Sequence, residues 1–142
     1  MFVDASAIVA VINQEPGWQE IAKRLAEAQG RCLVSPLVRF EATVAVARAA
    51  ASKRAAGARP TARMFATARE LVDAVFEEFE AREVAISSDI GRKALDAAAA
   101  YGKAVGHPAD LNFGDCFTYA CAREHKVGII YKGDDFAQTD LA

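Results

Sequence analysis

Four acidic positions stand out for where they fall. Asp4 interrupts an otherwise apolar opening, MFVDASAIVAVI, in which Met1-Phe2-Val3 reads as the start of a buried strand. Glu41 lies in PLVRFEATVAVARAA, a helical stretch with little polar surface, and Asp115 lies in LNFGDCFTYACA. Asp134 is followed by Asp135 and Asp140 in the closing YKGDDFAQTD. An ionised carboxylate in apolar surroundings is costly unless it is paired, hydrogen-bonded or bound to a metal.

Taken singly, each acid has an ordinary explanation. Asp4 suits the N-cap of a helix starting at Ala5. Glu41 fits a partly exposed position between Arg39 and Arg48, with Leu37, Val44 and Ala45 on its helix face. Asn112 and Asp115 have the spacing of a capping box, and a Gly-Asp-Asp run suits a surface turn. Taken together, the acids sit at strand ends or beside helix termini, with small or apolar neighbours in place of lysine partners. Converging carboxylates raise one another's pKa. A hard divalent cation with oxygen ligands resolves that repulsion, Mg²⁺ or Mn²⁺ first. His107 and His125 are too few and too scattered for a zinc site, and read as a loop residue and a helix C-terminal residue.

The elements that must carry these acids follow from periodicity and punctuation. FVD, RCLVS (31–35), EVAI (83–86) and VGIIY (127–131) have the length and composition of strands. Between them, 17–29 is amphipathic, with Trp18, Ile21, Leu25 and Ala28 on one stripe, and Gly30 stops it. Pro36 opens a second helix to about Ser52. AGARP (56–60) breaks the chain, and Thr61 caps a long helix to about Ala81. Ser87 or Ser88 caps another to about Gly102, and a last helix runs to about His125. Strands separated by helices predict parallel pairing with right-handed crossovers, an α/β sandwich in a single domain spanning 1–142. In such sheets ligands gather beyond the carboxyl ends of the strands, where strand order reverses. Asp4 follows the first strand, and Asp134 and Asp135 follow the last.

Composition sets the wider frame. With 53% hydrophobic and 25% charged residues and a formal net charge of −2, the chain is globular and carries no whole-molecule basic signal for nucleic acid. The charge is unevenly spread. From Ala42 to Arg69 there is no acid, while Arg48, Lys53, Arg54, Arg59, Arg63 and Arg69 all fall there; Asp73, Glu77, Glu78 and Glu80 follow. Such asymmetry predicts a basic edge on an acidic molecule. Cys32, Cys116 and Cys121 lack metal-ligand spacing and suit a reducing compartment. The absence of a signal-peptide pattern or a membrane-length apolar run predicts a cytoplasmic protein.

FVDASAIVAV, VRFEATVAV, LNFGDCFTYACA and IIYKGDDFAQTDL occur in the order seen in PIN-domain nucleases, and over essentially the whole chain the sequence resembles the VapC toxins of bacterial toxin–antitoxin pairs. The resemblance implies a three-layer α/β/α sandwich with a mainly parallel sheet. It implies metal-binding acids at Asp4, Glu41 and Asp115. A fourth acid falls at Asp134, with Asp135 adjacent and the register of GDDF open. Ser6 and Asn112 would hold the carboxylates or waters in place. The implied activity is Mg²⁺-dependent endoribonuclease cleavage, one or two metals activating a water and leaving a 5′ phosphate. The implied partners are RNA, a second copy of the chain and a VapB-type antitoxin that docks a helix and places an Arg near the acids. Two other readings compete. A haloacid-dehalogenase-type phosphatase would use Asp4 as nucleophile, but it wants a second Asp where Ser6 stands. A catalytically inactive PIN-like binding module would show no response to Mg²⁺.

Overall fold

The computed structural model describes residues 1–141. Four short parallel strands form one sheet, β1 (Phe2–Val3), β2 (Leu33–Val34), β3 (Arg82–Glu83) and β4 (Ile129–Ile130), in the order β3-β2-β1-β4. Six helices connect and flank them: α1 (Ala5–Asn13), α2 (Trp18–Glu27), α3 (Pro36–Arg54), α4 (Ala62–Glu78), α5 (Ser88–Tyr101) and α6 (Phe113–His125). This is the predicted α/β sandwich. Phe2, Val3, Val34, Ile129 and Ile130 are buried between the helical layers, as strands covered on both faces must be.

The chain leaves β1 toward β2 on one side and returns as β4 on the other, so strand order reverses at β1. Its register there is Phe2 opposite Ile129 and Val3 opposite Ile130. The residues after Val3 and Ile130 therefore emerge side by side at the carboxyl edge of the sheet. The third strand differs from expectation: it pairs at Arg82–Glu83, upstream of the predicted EVAI. Beyond Val34 its neighbour turns at once into Ser35, the N-cap of α3. Pairing therefore ends after the Val84 N–H reaches the Val34 carbonyl at 2.9 Å.

The helix starts follow the signals read from sequence, with Ser35 added as the cap before Pro36 and Ser87 taking the place left open between Ser87 and Ser88. Asp4, Ser35, Thr61, Ser87 and Asn112 each accept a backbone N–H at a helix start. Alanines 42, 47, 51, 94 and 97 are buried, which lets the helices approach closely. Phe76 is buried core, while Trp18 and Phe65 are only partly covered. No helix of the described residues is long and apolar enough to cross a membrane.

Candidate active site

Asp4 occupies the first position beyond β1. Its N–H donates to the Ile130 carbonyl at 2.9 Å, and the residue is only 5% exposed. Oδ2 accepts the Ser6 N–H at 2.9 Å and the Ser6 hydroxyl at 2.6 Å, and Oδ1 accepts the Thr118 hydroxyl at 2.8 Å. Capping and site-building are thus one arrangement in this residue. A carboxylate has about four acceptor positions, so these bonds orient the group without exhausting it.

Asp115 lies at the start of α6 and is 7% exposed. Its Oδ2 accepts the Asn112 N–H at 2.8 Å, while Asn112 Oδ1 accepts the N–H groups of Gly114 at 2.7 Å and Asp115 at 3.2 Å. The capping box is complete. Glu41 comes from α3, whose crossing with α6 brings its carboxylate over Gly114. A Cβ built on Gly114 would lie 2.0 Å from Glu41 Oε1. The glycine is what admits the glutamate.

Burial, then the charges of Asp4 and Asp115, pushes the Glu41 carboxyl up to about 7. Burial pushes Asp115 up to about 6, opposed by the Asn112 N–H and reinforced by Asp4, Asp135 and Asp110. Asp135 is raised by burial and by Asp4, Asp110 and Asp134. In each case burial is the larger cause and the neighbouring carboxylates add to it.

Asp4, Ser6, Glu41, Asn112, Asp115 and Asp135 line one cavity of about 770 Å³ at the switch point of the sheet. Asp134 does not: it precedes the short 3₁₀ turn Asp135–Gln138, and only Asp135 faces the cavity. Of the two neighbours in GDDF, the cavity lining therefore includes Asp135 and not Asp134. Of the basic residues between Ala42 and Arg69, Arg48 alone reaches the cavity wall. Lys53, Arg54, Arg59 and Arg63 are exposed around the α3–α4 connection, with Arg54 and Arg63 beside a separate groove.

Sequence reasoning missed Thr118, Gly114, Glu15 and Lys132. Thr118 had a signal, its three-residue spacing from Asp115 on one helix face. Lys132 would have needed the β1–β4 register. It lines the acid cavity, contrary to the expectation of no lysine nearby, but its ammonium pairs with Glu15.

Among the described residues no three acidic, histidine or cysteine side chains form a ready ligand cluster. The acids share a cavity without closing a cage. The donors are all oxygen, as a hard cation requires. A dehalogenase-type phosphatase fits poorly, since the residue two beyond Asp4 is Ser6, whose hydroxyl is already donated to Asp4.

A parallel α/β domain with a carboxylate-lined cavity at its switch point is a class of architecture that can hold a hard cation. The PIN domain profile matches residues 1–141, and the chain belongs to the PIN-domain family. Full-length relatives within it include a VapC ribonuclease of Rhizobium meliloti (strain 1021), 53% identical over 99% of this chain and 98% of that one. Ribonuclease VapC42 of Mycobacterium tuberculosis is 36% identical over 99% and 96%. Two solved structures share the fold. One is the Mycobacterium tuberculosis toxin VapC20, described as cleaving the sarcin–ricin loop, with a TM-score of 0.62 at 19% identity over 96% and 92% of the two chains. The other is a toxin–antitoxin complex from Klebsiella pneumoniae, with a TM-score of 0.64 at 17% identity over 99% and 92%.

Proposed function

We propose that this chain is a metal-dependent endoribonuclease of the VapC kind, the toxin of a toxin–antitoxin pair, hydrolysing RNA phosphodiester bonds at the acidic cavity. The observation that carries the reading is the convergence of Asp4, Glu41, Asp115 and Asp135, from four separate segments, on one cavity at the switch point. The full-length similarity to chains named VapC ribonuclease supports it.

Asp4, Glu41 and Asp115 would hold Mg²⁺, with Mn²⁺ able to substitute, and Asp135 rather than Asp134 takes the fourth place. The bound ion supplies activation of water and neutralisation of charge at the phosphate. The chain's own residues do the positioning. Ser6 and Thr118 orient Asp4, Asn112 orients Asp115, and Gly114 makes room for Glu41; such supporting contacts tune a site nearly as strongly as the ligands do. Arg48 at the wall and the exposed Lys53, Arg54, Arg59 and Arg63 supply cations for an RNA backbone.

The same reading includes a VapB-type antitoxin. Phe40, 65% exposed, lines the acid cavity with Val44 and Phe65. A helix laid on that apolar wall would carry an Arg to the acids. A homodimer would use the exposed Leu95, Val105 and Phe113 near the α5–α6 groove.

The test is cleavage of pooled cellular tRNA and rRNA by purified protein with Mg²⁺, with EDTA, and with the Asp115→Asn variant. Metal-dependent cuts that bear 5′ phosphates and vanish in the variant are expected. Cleavage surviving both EDTA and the substitution would overturn the mechanism. A pure binding module would cut nothing under any condition.

A further inference from the structure

Besides Arg48, the cation lining the acid cavity is Lys132, and it is held differently from the others. Its backbone N–H donates to Ser6 Oγ at 3.0 Å, and that hydroxyl donates to Asp4 Oδ2 at 2.6 Å. The main chain of Lys132 is thereby tied through one hydroxyl to the central carboxylate. Its side chain is about one-third exposed (33%) and forms an ion pair with Glu15, itself 34% exposed, in the turn after α1. Glu15 also lines the cavity, and its own N–H is fixed to the Ala10 carbonyl at 3.0 Å.

An ammonium at the rim of a carboxylate cluster would ordinarily swing into it and compete with any cation bound there. Glu15 holds it to one side, so that among the described residues the ammonium pairs with Glu15 and not with Asp4, Glu41 or Asp115. A pair with a third of each side chain in solvent is weakly held and exchanges readily. Lysine suits such an exchange, a compact charge with three donors on a flexible stem.

We infer that Lys132 is a phosphate-binding residue of the RNA site, parked on Glu15 in the free protein and transferred to a backbone phosphate next to the scissile one when RNA enters. This rests on the nuclease reading and extends it to how the strand is held. Arg48 arrives on α3, seven residues beyond Glu41, whereas Lys132 arrives from the end of β4. The two cations therefore approach the acids from different elements, which suits a strand laid across the cavity between them.

The alternative is a structural clip joining the end of α1 to the end of β4, and the two assignments part on the Glu15 variant. Binding of a fluorescent single-stranded RNA is measured by anisotropy over a salt series with Mg²⁺, in an Asp115→Asn background that keeps the RNA intact. Lys132→Gln is expected to weaken binding several-fold and to reduce the slope of log affinity against log salt by about 0.7, the value for one phosphate on a single strand. Lys132→Arg should keep the slope. Glu15→Gln should bind RNA as tightly as the parent or more so, because it frees the ammonium. Equal losses of thermal midpoint for Lys132→Gln and Glu15→Gln, with affinity and slope unchanged, would overturn the assignment in favour of the clip. Cleavage by the protein without these substitutions, run in parallel, separates the two failures. Cleavage with an unchanged slope removes Lys132 alone, whereas neither cleavage nor binding removes the nuclease reading and this one with it.

Discussion

Glu41 and Asp115 are held in a state that water would not choose for them. Their carboxyls, pushed up to about 7 and about 6, keep protons in the folded chain that they would release when unfolded. A raised folded-state value means the folded form binds more protons, so its contribution to stability is fully present below the ordinary carboxylate range and is lost as pH rises through about 6 to 7. In EDTA the thermal midpoint is therefore expected to fall over that window. Glu41→Gln should flatten the decline and raise the midpoint at pH 8 by roughly 2–4 °C, the shift given by about 1 kcal/mol in a domain of this size. Differential scanning fluorimetry across pH checks it. A wild-type decline that persists unchanged in Glu41→Gln would show that the repulsion at this residue is not its source.

At the scale of elements, the α3–α6 crossing decides where Glu41 can reach, and Gly114 is its contact point. The atoms nearest an alanine Cβ there are all in the carboxylate of Glu41, the far end of a flexible side chain. The helix itself would tolerate alanine, which is favoured over glycine by about 0.5–1 kcal/mol in a helix interior. Gly114→Ala is thus expected to leave the thermal midpoint unchanged or slightly raised, yet to lower RNA cleavage by roughly 10–100-fold, the usual cost of displacing a supporting contact at a metal site. Cleavage rate and melting curve from one preparation decide it. Loss of both together would point to a folding defect. The dual use of caps belongs to this scale too: Asp4 and Asn112 end their helices with the same bonds that orient the acids. A capping signature in the sequence was therefore no argument against a functional role.

For the whole molecule, an unfolded chain scatters these carboxylates, so an ion that binds the assembled cavity stabilises the fold by mass action. Mg²⁺ or Mn²⁺ at about a hundred times its dissociation constant adds about 2.7 kcal/mol. The midpoint at pH 8 should rise accordingly, and by much less in Asp115→Asn. An identical rise in both, or in neither, would locate any metal effect elsewhere. The sequence alone determined the alternation of strands and helices, the caps at Asp4, Thr61, Ser87 and Asn112, and the candidates Asp4, Glu41 and Asp115, because these depend on local periodicity and on side chains acting within a few residues. The resemblance added the family. Tertiary structure alone decided that Asp135 lines the cavity and Asp134 does not, that Arg48 reaches it while Lys53, Arg54, Arg59 and Arg63 stay outside, that Glu15 and Lys132 line it, and that Thr118 and Gly114 meet Asp4 and Glu41. Those choices turn on strand register, a helix crossing and the rotation of one short turn. Such relations join residues 126 positions apart, as Lys132 and Ser6 are, and no local pattern encodes them.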